Sequence, residues 1–171
     1  RQQGAKVIAI CNTQGASIPR ESDAALYTHA GPEIAVASTK AFLAQITATY
    51  VLGLYLAQLR GNMFADEVEA ILSELRAMPD KVQKVIDGKD DVTKLAQSMQ
   101  DATSVLFLGR HVGFPVALEG ALKLKEIAYL HAEGFAAGEL KHGPIALVEE
   151  GQPVFVIVPS PRGRDSLHSK V

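Results

Sequence analysis

The sequence has one cysteine, no tryptophan and few aromatic residues of any kind, and each shortage removes a class of protein. A single thiol, Cys11, cannot build an intrachain disulfide framework, which fits a reducing compartment and a cytoplasmic protein. Cys11 closes a short apolar run, so a buried structural thiol is expected there rather than a nucleophile. Positive charge is scarce as well. The 17 Lys and Arg against 19 Asp and Glu leave a net charge of −2, and no basic run interrupts the chain. Nucleic-acid binding is therefore not expected. Long uninterrupted apolar stretches are missing too. The best of them, residues 41–59, is broken by Gln45, Thr47, Thr49 and Gln58, and reads as a buried amphipathic helix rather than a membrane span. The apolar run behind the polar and basic first six residues is four residues long, too short for the core of a signal peptide. The turn GRHVG, residues 109–113, has neither a GxGxxG pattern nor a Walker lysine, so nucleotide binding is unsupported.

What is present is an ordinary globular composition, 47% apolar and 21% charged, over 171 residues. That length suits one domain or parts of two. The chain opens without a Met on RQQGAKVIAICN, a helix tail running into a strand, and closes on RDSLHSKV, a helix just begun; a piece of a longer protein is expected. Residues 6–11 (KVIAIC) form a continuously apolar strand, which predicts burial on both faces, as in a parallel sheet. Residues 13–22 read as a polar loop, residues 23–28 as a second strand and HAGPE, residues 29–33, as a turn. Ser38 or Thr39 is a natural N-cap for a helix over residues 40–59 that Gly61 ends. Its free amides could serve a plain cap or receive an anion or a sugar hydroxyl. Further helices are expected over 64–78, halted by Pro79, over 82–86, closed by Gly88, and over 92–99; KDD, residues 89–91, is the best boundary. Strands follow at 103–108 and 153–159, a loop at 161–164, and a helix capped by Asp165 or Ser166. Such alternation predicts an α/β protein, a three-layer α/β/α sandwich with parallel sheet, in two similar halves.

Chemically capable residues concentrate in residues 119–147, EGALKLKEIAYLHAEGFAAGELKHGPIAL. The first half has helical periodicity, which puts Glu119, Lys123 and Glu126 on one face at spacings of four and three. The second half, residues 134–144, has three Gly and one Pro and reads as loop. A helix offering a Lys and a Glu, followed by a loop bringing His142, suits an acid–base site; the same spacing also suits a solvated salt-bridge face. His131, Glu133 and His142 include enough donors to consider zinc, but the spacing is not that of a tight ligand set.

Together, VASTKAF (36–42), the 119–147 stretch and CNTQGASIPRESDAALYTHAGPE (11–33) resemble the isomerase part of the glucosamine-6-phosphate synthase family, the glutamine:fructose-6-phosphate aminotransferases, over nearly the whole chain. The resemblance implies flavodoxin-like SIS (sugar isomerase) domains. Residues 1–90 would be the C-terminal part of a first SIS domain plus linking helices, and 91–171 the N-terminal part of a second. The family's glutaminase domain, the phosphate-holding loop expected just before Arg1, and the C-terminal tail with its Schiff-base lysine would lie outside the chain; Lys170 does not correspond to that lysine, and this piece alone is expected to be inactive. Glu126 in KLKE matches the glutamate that moves a proton between C1 and C2 of the sugar, and Lys123 the lysine near it. His142 in ELKHGP matches the histidine implicated in ring opening, which in the family reaches the neighbouring subunit of a homodimer. Val36 and Ser38 match the loop that touches the sugar.

The implied chemistry explains these residue types. Turning a ketose-derived imine into an aldose shifts a proton between adjacent carbons, which one carboxylate can abstract and return. A lysine cation beside it lowers the carboxylate's pKa and stabilises negative charge developing on oxygen. Ring opening wants an acid–base group near neutrality, and His supplies one. The implied partners are sugar phosphates, fructose 6-phosphate and glucosamine 6-phosphate, with no cofactor, metal, nucleic acid or membrane. Other SIS readings are a non-catalytic sugar-phosphate sensor, which would sit beside a helix-turn-helix, and another sugar isomerase or deglycase.

Overall fold

The structure, a computed structural model, describes residues 2–159. The loop expected at 161–164, the cap at Asp165 or Ser166, and Lys170 lie outside the described residues. The chain divides into two compact units, Arg1–Lys89 and Asp90–Val171.

The first unit contains β1 (Ile8–Cys11), α1 (Ser17–Glu21), β2 (Ala24–Tyr27), α2 (Lys40–Leu59), α3 (Ala65–Arg76) and α4 (Met78–Asp87). β1 and β2 pair in parallel, from Ile8 opposite Ala24 to Cys11 opposite Tyr27. Among the described residues this sheet has two strands, so β1 is not buried on both faces as its composition predicts: Ala9 is buried while Ile8 is 53% exposed. Cys11 is half-buried, and its thiol donates to the carbonyl of Thr13 at 3.4 Å. Within residues 13–22, read as loop, the chain forms α1. Its Pro19 sits in the first turn, where no intrahelical N–H is needed, and is buried.

α2 has the predicted bounds but not the predicted burial. Only Ala41 and Leu54 are buried. Leu43, Ile46, Tyr50, Tyr55 and Leu59 are all exposed. Apolar residues cover more than one side of this helix, and its packing against β1 and α3 takes up only a part of them. It is the one helix among the described residues long and apolar enough, by length and composition, to cross a membrane. The hydroxyls of Thr47 and Thr49, two of the residues that interrupt it, donate to the carbonyls of Leu43 and Gln45 one turn earlier. Pro79 does not halt α3, which ends at Arg76; it lies in the first turn of α4, where Pro is tolerated.

α5 (Lys89–Ser98) lies in the second unit from Asp90 on, and KDD forms its first turn, where Asp90 and Asp91 suit the positive end of the helix dipole. The second unit continues with β3 (Ser104–Gly109), α6 (Gly113–Ala128), β4 (His131–Ala136) and β5 (Val154–Ile157). Two 3-10 turns, Ala137–His142 and Pro144–Leu147, connect β4 to β5. The sheet is all parallel, in the order β4-β3-β5. Residues 134–144 are therefore not mainly loop, because Gly134 stands inside β4 opposite Phe107. A side chain there would have its Cβ 2.9 Å from Leu118 Cδ2 and 3.0 Å from Leu118 Cα, so only glycine lets α6 lie this close to the strand.

The core of this unit is Val105, Phe107, Ala117, Ala121 and Ala132, flanked by Leu124, Leu130, Phe155 and Ile157. The rings of Phe107 and Phe155 stack with centroids 4.9 Å apart. β5, expected to be buried, is an edge strand with one covered face: Phe155 and Ile157 are half-buried, Val154 and Val156 exposed. The α/β class with parallel sheet is as the alternation of elements predicts.

Candidate functional site

In parallel sheets ligand crevices form beyond the carboxyl ends of the strands. In the first unit those ends are Cys11 and Tyr27. Asn12, directly after β1, organises the chain there. Its Nδ2 donates to the carbonyl of Gly31 at 2.7 Å, and its Oδ1 accepts from Thr28 Oγ1 at 3.0 Å and the Ala30 N–H at 2.8 Å. That fixes the turn in which His29 takes a left-handed backbone, φ 53°. The chain then enters the loop carrying Val36 and Ser38.

The loop is closed by a residue that periodicity does not single out. One oxygen of the Glu33 carboxylate accepts from the N–H groups of Thr39 at 3.2 Å and Ala41 at 3.1 Å, and the other faces Thr39 Oγ1 at 3.4 Å. Thr39 occupies the cap position of α2, but its backbone (φ −123°, ψ −75°) is not the extended one of an ordinary cap, and its hydroxyl does not cap the helix. The amides expected to be a plain cap or an open anion site are thus served by an internal anion. The Ala41 N–H holds the Glu33 carboxyl below its usual value of 4.5 against the opposing effect of burial, with help from the Thr39 N–H and the Lys40 charge. Inside the loop Ala37 is buried, Ser38 half-buried and Val36 91% exposed.

In the second unit, α6 carries Glu119, Lys123 and Glu126 on the side away from Ala117 and Ala121, which face the sheet. Lys123 Nζ lies 2.6 Å from Glu126 Oε2 and 3.2 Å from Glu119 Oε1. The three side chains are 23%, 27% and 24% exposed for Lys123, Glu126 and Glu119, whereas the Lys94–Asp91 pair on α5 is 75% and 89% exposed. This is a half-buried cluster rather than a solvated face. The hydrogen bond to Glu126 raises the Lys123 pKa above 10.5, partial burial opposes it, and Glu119 adds to the rise. A permanently charged ammonium is thus hydrogen-bonded to a carboxylate. Such a pair supplies a proton acceptor and, next to it, a cation able to stabilise negative charge on oxygen.

The structure brings Lys123 and Glu126 together and leaves His142 apart. α6 connects two parallel strands and so runs against them, placing Glu126 toward the start of β4; His142 follows the far end of β4. It is exposed, ends a 3-10 turn before Gly143 (φ 153°), and its side chain makes no hydrogen bond or ion pair among the described residues. His131 Nε2 lies 3.3 Å from Glu133 Oε1, without His142, and no group of three His, Cys, Asp or Glu residues suited to a metal ion comes together among the described residues. A cavity of about 440 Å³ at the amino ends of β3 and β4, lined by Asp101, Ser104, His131, Glu133, Glu149 and Gln152, contains none of the predicted site residues. Of the residues that shape these places, Glu119 was visible in the helical spacing. Glu33 was not; an acidic residue shortly before a Ser-Thr cap is the one signal that could have found it.

Parallel α/β units with polar side chains gathered around a loop at the strand ends and on one helix face define an α/β protein of the parallel-sheet class, and comparison with known proteins gives it a family. The SIS domain model matches residues 1–55 and 98–170, so the chain belongs to the SIS domain family. The match takes in most of α2, which makes that helix part of an SIS unit. Over its whole length the chain is 87% identical to the glutamine–fructose-6-phosphate aminotransferase [isomerizing] of Corynebacterium diphtheriae, and 66% identical to that of Mycobacterium tuberculosis. It spans 28% and 27% of the length of these relatives. Among solved structures it is similar to the C-terminal domain of glucosamine-fructose-6-phosphate aminotransferase from Francisella tularensis, with a TM-score of 0.88 and 40% identity over 95% of this chain and 44% of that one.

Proposed function

We propose that the chain is the isomerase part of a glutamine–fructose-6-phosphate aminotransferase, which combines fructose 6-phosphate with glutamine-derived ammonia to give glucosamine 6-phosphate and water. The observation that carries this reading is the half-buried Lys123–Glu126 contact of 2.6 Å on α6 of an SIS chain 87% identical to such an enzyme. Glu126 is the base that takes the proton from one sugar carbon and returns it to its neighbour. Lys123, hydrogen-bonded to Glu126, holds it in place and faces the oxygen on which negative charge develops. Val36 and Ser38 touch the sugar. His142, exposed and apart from the pair, opens the sugar ring in the neighbouring subunit of a homodimer. Residues 1–90 belong to a first SIS domain and its linking helices, and 91–171 to a second, in a cytoplasmic enzyme.

The test is Glu126→Gln in a full-length aminotransferase carrying this chain. Losing the proton-transfer group is expected to lower the isomerisation rate by about 10²–10⁴-fold with little change in KM for the sugar phosphate. An unchanged rate would remove Glu126 from the chemistry.

A further inference from the structure

Glu33 engages the backbone at the start of α2 from outside the helix, whereas Glu67, which accepts from the Phe64 N–H at the start of α3, belongs to the helix it caps. Glu33 reaches across a loop of five residues to do this. Two points hold that loop: the Glu33 carboxylate at its ends, and the buried side chain of Ala37 in its middle. Ile34 and Val36 are 93% and 91% exposed, so packing does not restrain them. A short exposed loop without such ties samples many backbone states, and binding would have to select one of them. The amides that Glu33 engages are also those that would otherwise attract an anion, since the helix dipole and the free N–H groups favour negative charge there. A substrate with a phosphate at one end and a reacting carbonyl at the other could be held the wrong way round by an open helix start.

We propose that Glu33 is a positioning residue for the sugar: its carboxylate, bound to the Thr39 and Ala41 amides, fixes Val36 and Ser38 in their sugar-contacting arrangement and denies the start of α2 to the substrate's phosphate. This rests on the assignment of the 36–38 loop to the sugar made above. The depressed pKa of Glu33 agrees with it, because the group is an anion throughout the neutral range.

Glutamine has nearly the shape of glutamate but carries one acceptor oxygen in place of two and no charge, so Glu33→Gln weakens the tie without emptying the position. In the full-length enzyme Glu33→Gln is expected to raise KM for fructose 6-phosphate about tenfold, the scale of a lost helix cap expressed as affinity, with kcat within about twofold. Glu33→Asp, which keeps the charge, recovers part of that loss. Ser38→Ala is the companion variant that tests the loop itself. If Ser38→Ala raises KM and Glu33→Gln does not, the positioning role is overturned and the loop assignment stands. If neither changes KM, the loop assignment falls and the inference with it. A drop in kcat or in the folded fraction at constant KM marks Glu33 as structural only and also overturns it. Should Glu33→Gln fail to fold, the same KM criterion is read on Glu33→Asp, where an unchanged KM counts against the role.

Discussion

α2 and α6 are the two longest helices among the described residues, of 20 and 16 residues, and they meet their sheets in different ways. α6 presents Ala117, Gly120 and Ala121 to the sheet and lies so close that a Cβ on Gly120 would stand 2.8 Å from the Phe107 ring. α2 buries only Ala41 and Leu54, and its Gly53 faces open space. The sequence of α2 is the more apolar, yet α6 is the better packed. Burial is set by what the neighbouring sheet offers as much as by the helix. A three-stranded sheet with stacked Phe107 and Phe155 offers a floor, whereas β1 and β2 offer two four-residue strands. The polar chemistry divides in the same way. α6 uses side chains on its far face, held by a lysine shared between two carboxylates, and α2 uses the backbone amides of its first turn, held by Glu33.

The sharpest break of this comparison is at the α6–β4 contact. Gly134→Ala puts a Cβ against both the side chain and the backbone of Leu118, and backbone within a helix cannot step aside cheaply. We expect a loss of about 3 kcal/mol, at the upper end of overpacking costs, as a fall in the midpoint of urea denaturation. A variant as stable as the parent would show that α6 can ride away from the sheet, and the close packing would lose its meaning.

This same contact explains what could be read from the sequence and what could not. The bounds of α2, the positions of β1, β2, β3 and β5, and the pairing of Lys123 with Glu126 follow from periodicity and spacing, which are local. β4 was hidden because Gly134 reads as a breaker when only its neighbours are seen, and becomes necessary once Leu118 is known to lie over it. α1 is a single short helix without a side-chain cap, too weak a pattern to stand out from the polar residues around it. The exposure of α2 could not be read either, since an apolar helix reports what it could bury and not what it is given. Glu33 was missed for a related reason: its partners lie six and eight residues on, across an irregular loop, where no repeat links them.

The opposite outcome is expected in α2. Gly53→Ala adds a methyl where nothing stands within 4 Å, so the change should act through helix propensity alone. A gain of about 0.5–1 kcal/mol is expected, again read from urea denaturation. A loss of the same size would mean that another surface, such as a second copy of the chain, closes over Gly53 in the folded protein, and would bring α2 closer in character to α6.

The smallest effects separate the two helices by pH. Glu33 has a lowered pKa in the folded chain, so its tie stabilises the fold above the ordinary glutamate value of 4.5 and the contribution is lost as pH falls through the lower folded value. Lys123 has a raised pKa, so its contribution is complete below 10.5 and lost as pH rises through the higher folded value. Both groups are solvent-accessible, and the shifts in unfolding temperature should be small and weakened by salt. The measurement is the difference in unfolding temperature between the parent and Glu33→Gln, and between the parent and Lys123→Met, over a series of pH values. The first difference should close on the acid side only, because protonated glutamate and glutamine are both neutral there. The second should narrow on the alkaline side, where lysine loses the charge that methionine lacks. If the Glu33→Gln difference persists unchanged in acid, the carboxylate holds the start of α2 through shape and not through charge, and the electrostatic contrast between the two helices disappears.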